Sequence, residues 1–315
     1  MKSINPQLIK KGDTIGIISV ANADAFNERG NFDRGLDVLK DRGYKVKLGK
    51  HVLGCRGYKS GSPKELASDL NEMFSNEEIK AIMCAGGGIN ANALLPHVDF
   101  EHIKKNPKIF MGVSNPTILL NAINTKTGLK TFHGPAIVWD LGNAYGFNEF
   151  TAEQLWNAIE KGSDLNIDKS AVQVHREGQG KGEIVAGHLA TIQGLLGTQY
   201  EPKWDNKILF WEEVFDSADN IEMRLTHFKN AGVFDKIKGM VVGELLECDE
   251  SVLKLDNLLD EVTEGYKFPI LKNLPFGHTS RKYCLPVGGT AEINTNEDTC
   301  LKVSMGRGQA ECLKD

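Results

Sequence analysis

The 315-residue chain lacks an excess of positive charge and lacks any long hydrophobic run. It has 37 lysines and arginines against 42 aspartates and glutamates, a formal net charge of −5 and an isoelectric point near 6.0. Such a balance provides no basic field to hold a nucleic-acid backbone or an anionic membrane surface. No segment reaches the roughly 18 continuous apolar residues that span a bilayer. We therefore expect neither a nucleic-acid partner nor a membrane partner.

Patterns that mark metal or disulfide sites are also missing. The six cysteines are scattered without a C-x-x-C pair, and the eight histidines show neither H-x-H nor H-E-x-x-H spacing. The first twelve residues contain no apolar leader segment. We therefore expect a cytoplasmic protein with reduced thiols and no metal site. The cysteines are Cys55, Cys84, Cys248, Cys284, Cys300 and Cys312.

The composition that remains is that of a globular protein, and the length suits two domains. Apolar residues make up 41% of the chain, charged residues 25%, and the mean hydropathy is −0.29. In residues 1–148, β-rich runs at 14–19, 44–48, 80–84 and 108–113 alternate with helical patterns, which predicts a parallel sheet covered on both faces. We interpret residues 149–180 as a linker and crossover. Shorter strands in residues 181–315 predict a smaller, mixed α/β, barrel-like second domain.

A serine lies at the sharpest local feature, Phe110-Met-Gly-Val-Ser-Asn-Pro-Thr117. Pro116 suits the first position of a helix, and it pushes Asn115 towards the extended conformation of an N-cap residue. Ser114 is thus predicted at the carboxyl end of a strand and above a helix N-terminus. This is similar to a nucleophile elbow, although G-x-S-x-G is not met. A serine that merely begins a helix gives the same pattern, so both interpretations remain open.

Three further features each have a functional and a plain interpretation. The glycines of Cys84-Ala-Gly-Gly-Gly-Ile-Asn90 can point backbone amides at a phosphate or an oxyanion, or can form a simple tight turn. The strand at 207–211 leads into two carboxylates, Glu212 and Glu213. They are either catalytic groups or solvated loop residues. His278 follows Gly277 in a loop, as a reactive imidazole or a surface histidine.

Together these features resemble the LD-carboxypeptidase family of serine peptidases, which includes murein tetrapeptide carboxypeptidases and microcin C self-immunity peptidases. The resemblance extends over nearly the whole chain, from residue 11 to residue 288. Its landmarks occur in the family's order at residues 87–96, 112–117, 126–135, 194–198, 207–213 and 277–278.

The resemblance implies a catalytic triad with Ser114 as nucleophile, His278 as base and Glu212 as acid, with Glu213 as the alternative acid. It implies an oxyanion hole formed by the backbone N–H groups of Gly88, or of Gly87, and of Asn115. It further implies a flavodoxin-like first domain that carries the nucleophile, and a second domain that carries the acid and the base. A homodimer with no metal and no cofactor is also implied.

Departures from the family pattern bear on the substrate. Asn115 stands where the family usually has aspartate. The segment Gly86-Gly-Gly-Ile-Asn90 lacks the arginine that the murein-recycling branch has there. Such an arginine can bind a substrate carboxylate through two hydrogen bonds. Asn90 is closer to the microcin-immunity branch, and Trp139 could stack on a base or simply pack. We therefore favour amide hydrolysis of a small peptidyl or aminoacyl-nucleotide-like compound. The alternatives are release of a terminal D-alanine from murein tetrapeptides and a ligand-binding homologue without turnover.

Overall fold

The first half of the chain forms a doubly wound α/β unit. The computed structural model describes residues 2–249, 251 and 253–306. Strands β1 to β5 pair in parallel in the order β2-β1-β3-β4-β5, which is the flavodoxin-like order and confirms that prediction. Its strands are β1 (Thr14–Ile18), β2 (Lys45–Leu48), β3 (Ile79–Cys84), β4 (Ile109–Gly112) and β5 (Thr131–His133). Its helices are α1 (Asp24–Asn27), α2 (Arg29–Arg42), α3 (Pro63–Ser75), α4 (Phe100–Lys105), α5 (Thr117–Thr127) and α6 (Glu149–Trp156).

The helices of this unit begin and end where local chemistry directs them. Helix α2 ends at Gly43, which adopts the left-handed conformation (φ 102°) predicted for a C-cap. Helix α3 begins with a capping box, because Ser62 accepts from the N–H of Glu65 while the Glu65 carboxylate accepts from the N–H of Ser62. Short helical turns also occur at Ala91–His97, Ile137–Leu141, Asn157–Lys161 and Lys169–Ala171.

The second half of the chain builds an eight-stranded mixed sheet in the order β6-β14-β13-β8-β9-β10-β11-β7. Its strands are β6 (Leu165–Asp168), β7 (Gln173–Arg176), β8 (Gln179–His188), β9 (Lys207–Glu212), β10 (Gly239–Gly243), β11 (Ile270–Leu274), β13 (Thr290–Asn294) and β14 (Thr299–Ser304). The remaining helices are α7 (Leu189–Gln193), α8 (Ala218–Asn230) and α9 (Leu255–Val262). Strand β12 (Leu285–Val287) instead joins the first sheet, antiparallel to β5.

The second sheet curls into a barrel-like form. Its two edge strands, β6 and β7, are consecutive in sequence and are joined by residues 169–172 alone. A flat sheet of eight strands would separate its edges by about 34 Å, and this short connection spans at most about 18 Å. The barrel-like prediction is thus confirmed. Both edge strands lie inside the segment 149–180 that we interpreted as a linker, and the exact domain boundaries stay a prediction.

Both sheets bring the carboxyl ends of parallel strands to one region. In the first sheet these ends lead into the glycine loop after β3, into Ser114 after β4 and into His133 at the end of β5. In the second sheet β8, β9, β10 and β11 run in parallel, and β8 and β9 end at His188 and Glu212. In open α/β sheets this edge is where ligands bind.

The two units share one hydrophobic core. Helix α5 packs between them, so that Leu119 of the first unit belongs to the same buried cluster as Phe210 and Phe276 of the second. Buried Asn121 crosses this junction, since its amide donates both to the Thr117 carbonyl in its own helix and to the Ala186 carbonyl of β8. The relative placement of the two sheets is thereby fixed by packing. Within the described residues, no helix has the length and apolarity to cross a membrane.

We predict that Asn121→Ala lowers the free energy of unfolding by about 1–3 kcal/mol, because the Ala186 carbonyl loses its buried donor. Urea unfolding followed by circular dichroism measures the change. Asn27→Ala at an exposed position is the matched control, and it should change stability by less than about 0.5 kcal/mol. Equal stability of the two variants would contradict the role of Asn121 at the junction.

Candidate active site

Ser114 occupies a strained corner between β4 and α5. Its φ is +66°, a left-handed conformation that serine rarely adopts. Only 8% of the surface of Ser114 is exposed. The corner is closed by hydrogen bonds from the N–H of Thr117 to the Ser114 carbonyl and from the N–H of Ile118 to the Asn115 carbonyl. The structure therefore has the strand–turn–helix geometry of a nucleophile elbow, with the strain at the serine itself.

Asn115 does not cap helix α5, contrary to our expectation. The residue that precedes the first helical residue is Pro116, already in a helical conformation. The Asn115 side chain instead accepts a hydrogen bond of 2.6 Å from the N–H of Ala91. It thereby ties the serine corner to the end of the glycine loop. The Asn115 N–H has no hydrogen-bond partner among the described residues.

Asn22, just before helix α1, and Asp24, its first residue, hold the glycine loop. The N–H of Gly87 donates to Asp24 Oδ2 at 2.9 Å, and the Gly87 carbonyl accepts from the N–H of Asn22. Gly88 has φ +112°, and a Cβ there would lie only 2.1 Å from the Asn22 side chain. Burial raises the pKa of Asp24, although the Gly87 N–H acts to lower it. Among the described residues nothing accepts from the Gly88 N–H, so Gly88 retains a free donor and Gly87 does not.

Ser114 and Trp139 both lie against Gly87 of the glycine loop. A Cβ added to Gly87 would lie 2.9 Å from Ser114 Oγ and 2.8 Å from the Trp139 ring. The Trp139 ring lies 6.4 Å from that of His278, centroid to centroid, and both residues line one cavity with Val113. Trp139 therefore lies near both the serine of the first unit and the histidine of the second.

The two neighbouring carboxylates have different partners. Glu212 Oε2 lies 2.7 Å from Nδ1 of His278. Glu213 forms an ion pair with Nε2 of His188 and accepts from the N–H of Ala190. The side chain of Glu212 is fully buried and that of His278 is 13% exposed. Of the two acids that the sequence left open, Glu212 faces His278.

Histidines surround the buried Glu212 carboxylate. Burial alone would raise the pKa of Glu212, but the facing imidazoles of His278, His188 and His133 outweigh it and lower the pKa to about 2. Burial also acts to lower the pKa of His188, but its hydrogen bond with Glu213 and the charge of Glu212 raise it overall. Because Glu212 is ionised at neutral pH and only accepts, Nδ1 of His278 carries a proton and donates.

Glycines make room for Glu212. A Cβ on Gly277, which has φ +94°, would lie 2.2 Å from Cγ of Glu212, and a Cβ on Gly243 would lie 2.8 Å from its Cβ. Any larger residue at Gly277 would displace the carboxylate or the loop that carries His278. The glycine before the histidine is therefore a steric requirement of the contact between Glu212 and His278.

A buried ion pair connects the Trp139 segment to the His278 loop. Lys282 Nζ lies 2.6 Å from Asp140 Oδ1, with side chains 3% and 7% exposed. Asp140 Oδ2 also accepts from the N–H of Ala136, and the N–H of Lys282 donates to Thr151. The pair lines the same cavity as His278 and leaves no unpaired cation among the described residues that line it.

The structure brings together most of the residues that the sequence singled out. Gly87 lies beside Ser114 and Trp139, and Trp139 lies beside His278. His278 contacts Glu212, and Glu213 is connected to His278 through His188. Asn90 differs, because its amide donates to the hydroxyl of Tyr58 at 2.7 Å. Cys312 lies outside the described residues. Of the other five cysteines, Cys84, Cys284 and Cys300 are buried, Cys55 is exposed and Cys248 is intermediate.

Sequence reasoning missed His133 and His188. The His188 ring packs against that of His278 at 5.4 Å between centroids, and His133 Nε2 lies 3.9 Å from Glu212 Oε1. Each stands at the carboxyl end of a strand, which is the one sequence signal that could have found them. Neither lies in a spacing that marks a metal site. No cluster of three potential metal ligands occurs in the part of the chain that the structure describes.

Comparison with known proteins identifies the family. The model of the LD-carboxypeptidase N-terminal domain matches residues 15–134, and that of the C-terminal domain matches residues 181–293. A probable murein peptide carboxypeptidase of Bacillus subtilis is 32% identical, over 94% of this chain and 93% of its own length. The microcin C7 self-immunity protein MccF of Escherichia coli is 33% identical, over 88% and 89%.

A solved structure leads to the same family. MccF in complex with aspartyl sulfamoyl adenosine superposes with a TM-score of 0.88 at 28% identity, covering 95% of this chain and 98% of the MccF chain. The predicted resemblance is confirmed. The chain belongs to the LD-carboxypeptidase family and is a hydrolase of the serine carboxypeptidase type.

Proposed function

We propose that the protein hydrolyses an amide bond of a small peptidyl or aminoacyl-nucleotide-like compound with a triad of Ser114, His278 and Glu212. The observation that carries the proposal is the 2.7 Å contact between His278 Nδ1 and the buried Glu212 carboxylate. The Trp139 ring lies 6.4 Å from the His278 ring and, like Ser114, lies against Gly87. With Nδ1 bound to the carboxylate, Nε2 is the nitrogen left to exchange a proton with the serine.

Acylation begins when Ser114 Oγ attacks the scissile carbonyl carbon and transfers its proton to His278 Nε2. The ionised Glu212 stabilises the imidazolium that forms, and it keeps the ring in the tautomer that the reaction needs. Collapse of the tetrahedral intermediate breaks the carbon–nitrogen bond. The leaving amine takes the proton from His278, and an ester to Ser114 remains.

The negative oxygen of the tetrahedral intermediate requires donors that the free protein leaves available. The N–H groups of Gly88 and Asn115 meet this requirement, while that of Gly87 is occupied by Asp24. Fixed donors of this kind contribute about 2.7–4 kcal/mol each to transition-state stabilisation. The Asn115–Ala91 hydrogen bond holds the two donor segments together.

Deacylation repeats the same steps with water. His278 takes a proton from the water as its oxygen attacks the ester carbonyl. Collapse then returns that proton to Ser114 Oγ and releases the acid, so that the enzyme is regenerated.

The cavity favours a nucleotide-like compound over a free terminal carboxylate. Among the described residues that line it, the single lysine, Lys282, is neutralised by Asp140, and the glycine loop lacks an arginine. The half-buried Trp139 ring offers a stacking face beside Ser114. MccF is a relative whose structure holds an aminoacyl sulfamoyl nucleoside.

The second candidate is a murein tetrapeptide carboxypeptidase that releases terminal D-alanine. The 32% identity to a probable murein peptide carboxypeptidase favours it.

The family resemblance also supports a homodimer that acts in the cytoplasm. Light scattering after size-exclusion chromatography measures the mass of the dimer.

We predict that Ser114→Ala lowers kcat by at least about 10³-fold, because no other group forms the acyl-enzyme. The purified variant is assayed by chromatographic detection of product. Ser75→Ala, in the exposed part of α3, is the matched control and should retain wild-type kcat. A folded Ser114→Ala variant with wild-type turnover would exclude the serine mechanism, and absence of turnover in both proteins would favour the ligand-binding homologue.

We predict that Glu212→Gln reduces kcat/KM by about 10³- to 10⁴-fold, since an amide favours the wrong tautomer of His278. Glu213→Gln should cost at least tenfold less, because Glu213 contacts His188 and not His278. Circular dichroism checks that both variants are folded. The opposite order of the two losses would assign the acid to Glu213.

We predict that an aminoacyl sulfamoyl nucleoside is hydrolysed with a kcat/KM at least tenfold above that of a murein tetrapeptide. Both compounds are assayed with wild-type enzyme, and Ser114→Ala serves as the blank. A preference for the tetrapeptide would establish the second candidate in place of the first.

A further inference from the structure

His133 is a buried titratable group that the proposed mechanism does not use. It ends strand β5, is fully buried, and neither of its ring nitrogens has a hydrogen-bond partner in the described part of the chain. Glu212 Oε1 also lacks a partner. His133 Nε2 and Glu212 Oε1 face each other at 3.9 Å. Buried polar atoms nearly always have a hydrogen-bond partner. Because His133 Nε2 and Glu212 Oε1 both lack one among the described residues and lie this close, each is a candidate partner for the other.

The surroundings leave Glu212 as the acceptor for His133. The other charged or titratable groups near the ring are His278, His188 and Lys282. Lys282 is bound to Asp140, and His188 and His278 are each bound to a glutamate. The edge-to-face contact with Phe276, at 5.9 Å between centroids, fills an apolar side of the ring. Burial lowers the pKa of His133 to about 4, so the ring is neutral at physiological pH.

We propose that His133 is a positioning residue for the triad: it is neutral, carries its proton on Nε2 and donates a hydrogen bond to Glu212 Oε1. The proposal rests on the proposed function. It requires the two atoms to approach by about 1 Å, and catalytic hydrogen bonds that are long in free enzymes shorten in this way in the reacting complex. The proton remains on His133 throughout, and no covalent bond is made or broken.

The carboxylate would then be held at both oxygens. His278 Nδ1 donates to Oε2 and His133 Nε2 donates to Oε1, so the Glu212 side chain cannot rotate away when His278 becomes charged. This demand arises in the transition state and not in substrate binding. Loss of the second donor should therefore appear in kcat and leave KM nearly unchanged.

The kinetic test compares two replacements of His133. His133→Phe keeps an aromatic ring against Phe276 and removes the donor, and we expect a 10- to 100-fold fall in kcat with KM within about twofold. His133→Gln can place an amide N–H near the position of Nε2, and we expect it to recover at least half of the loss on a logarithmic scale. His97→Gln at an exposed position is the control and should retain wild-type kcat. Equal losses in the Phe and Gln variants, or a rise in KM that matches the fall in kcat, would overturn the proposal.

A second measurement needs neither substrate nor turnover. In protein with ¹⁵N-labelled histidine, the resonances absent from His133→Gln belong to His133. We expect them to report a neutral ring protonated on Nε2 from pH 5 to pH 8. A ring protonated on Nδ1, or a charged ring, would overturn the proposal even if every kinetic expectation held. Failure of the enzyme to hydrolyse either substrate class would instead refute the proposed function and leave this spectrum to decide on His133.

Discussion

A carboxylate removed from water is the constraint around which the second unit is built. Glu212 has no exposed surface, and a buried charge is strongly unfavourable unless partners replace its hydration. His278 supplies the principal partner at 2.7 Å. That contact in turn requires the absence of a Cβ at Gly277 and Gly243. The ionised glutamate thus fixes both the position and the tautomer of the His278 imidazole.

The first unit places the Ser114 hydroxyl beside the glycine loop, in which the Gly88 N–H has no hydrogen-bond partner among the described residues. The left-handed conformation of Ser114 costs energy, and the closed corner at the start of α5 together with the shared core maintains it. Asp24 and Asn22 occupy the neighbouring polar groups of the glycine loop and leave the Gly88 N–H open. The two units are held together by Asn121 at the core junction and by the buried Asp140–Lys282 ion pair.

Much of this organisation could be predicted from the sequence, since local chemistry determines it. The strands before Ser114 and the glycine loop, the Gly43 cap and the strand that ends at Glu212 all follow from short-range patterns. Contacts between distant segments could not be predicted this way. Nothing near Glu212 and Glu213 in sequence distinguishes them, because the difference comes from His278, in the loop after β11, and from His188, at the end of β8. The edge strands β6 and β7 were missed since their pairing partners lie more than 90 residues away.

The most direct test of a serine activated by the Glu212–His278 pair is its reaction with an organophosphorus probe, located by peptide mass spectrometry. The account predicts stoichiometric modification at Ser114 in the wild-type protein. It also predicts a rate at least about 100-fold lower when Glu212 is replaced by glutamine. Modification at a different serine, or an equal rate in the two proteins, would contradict it.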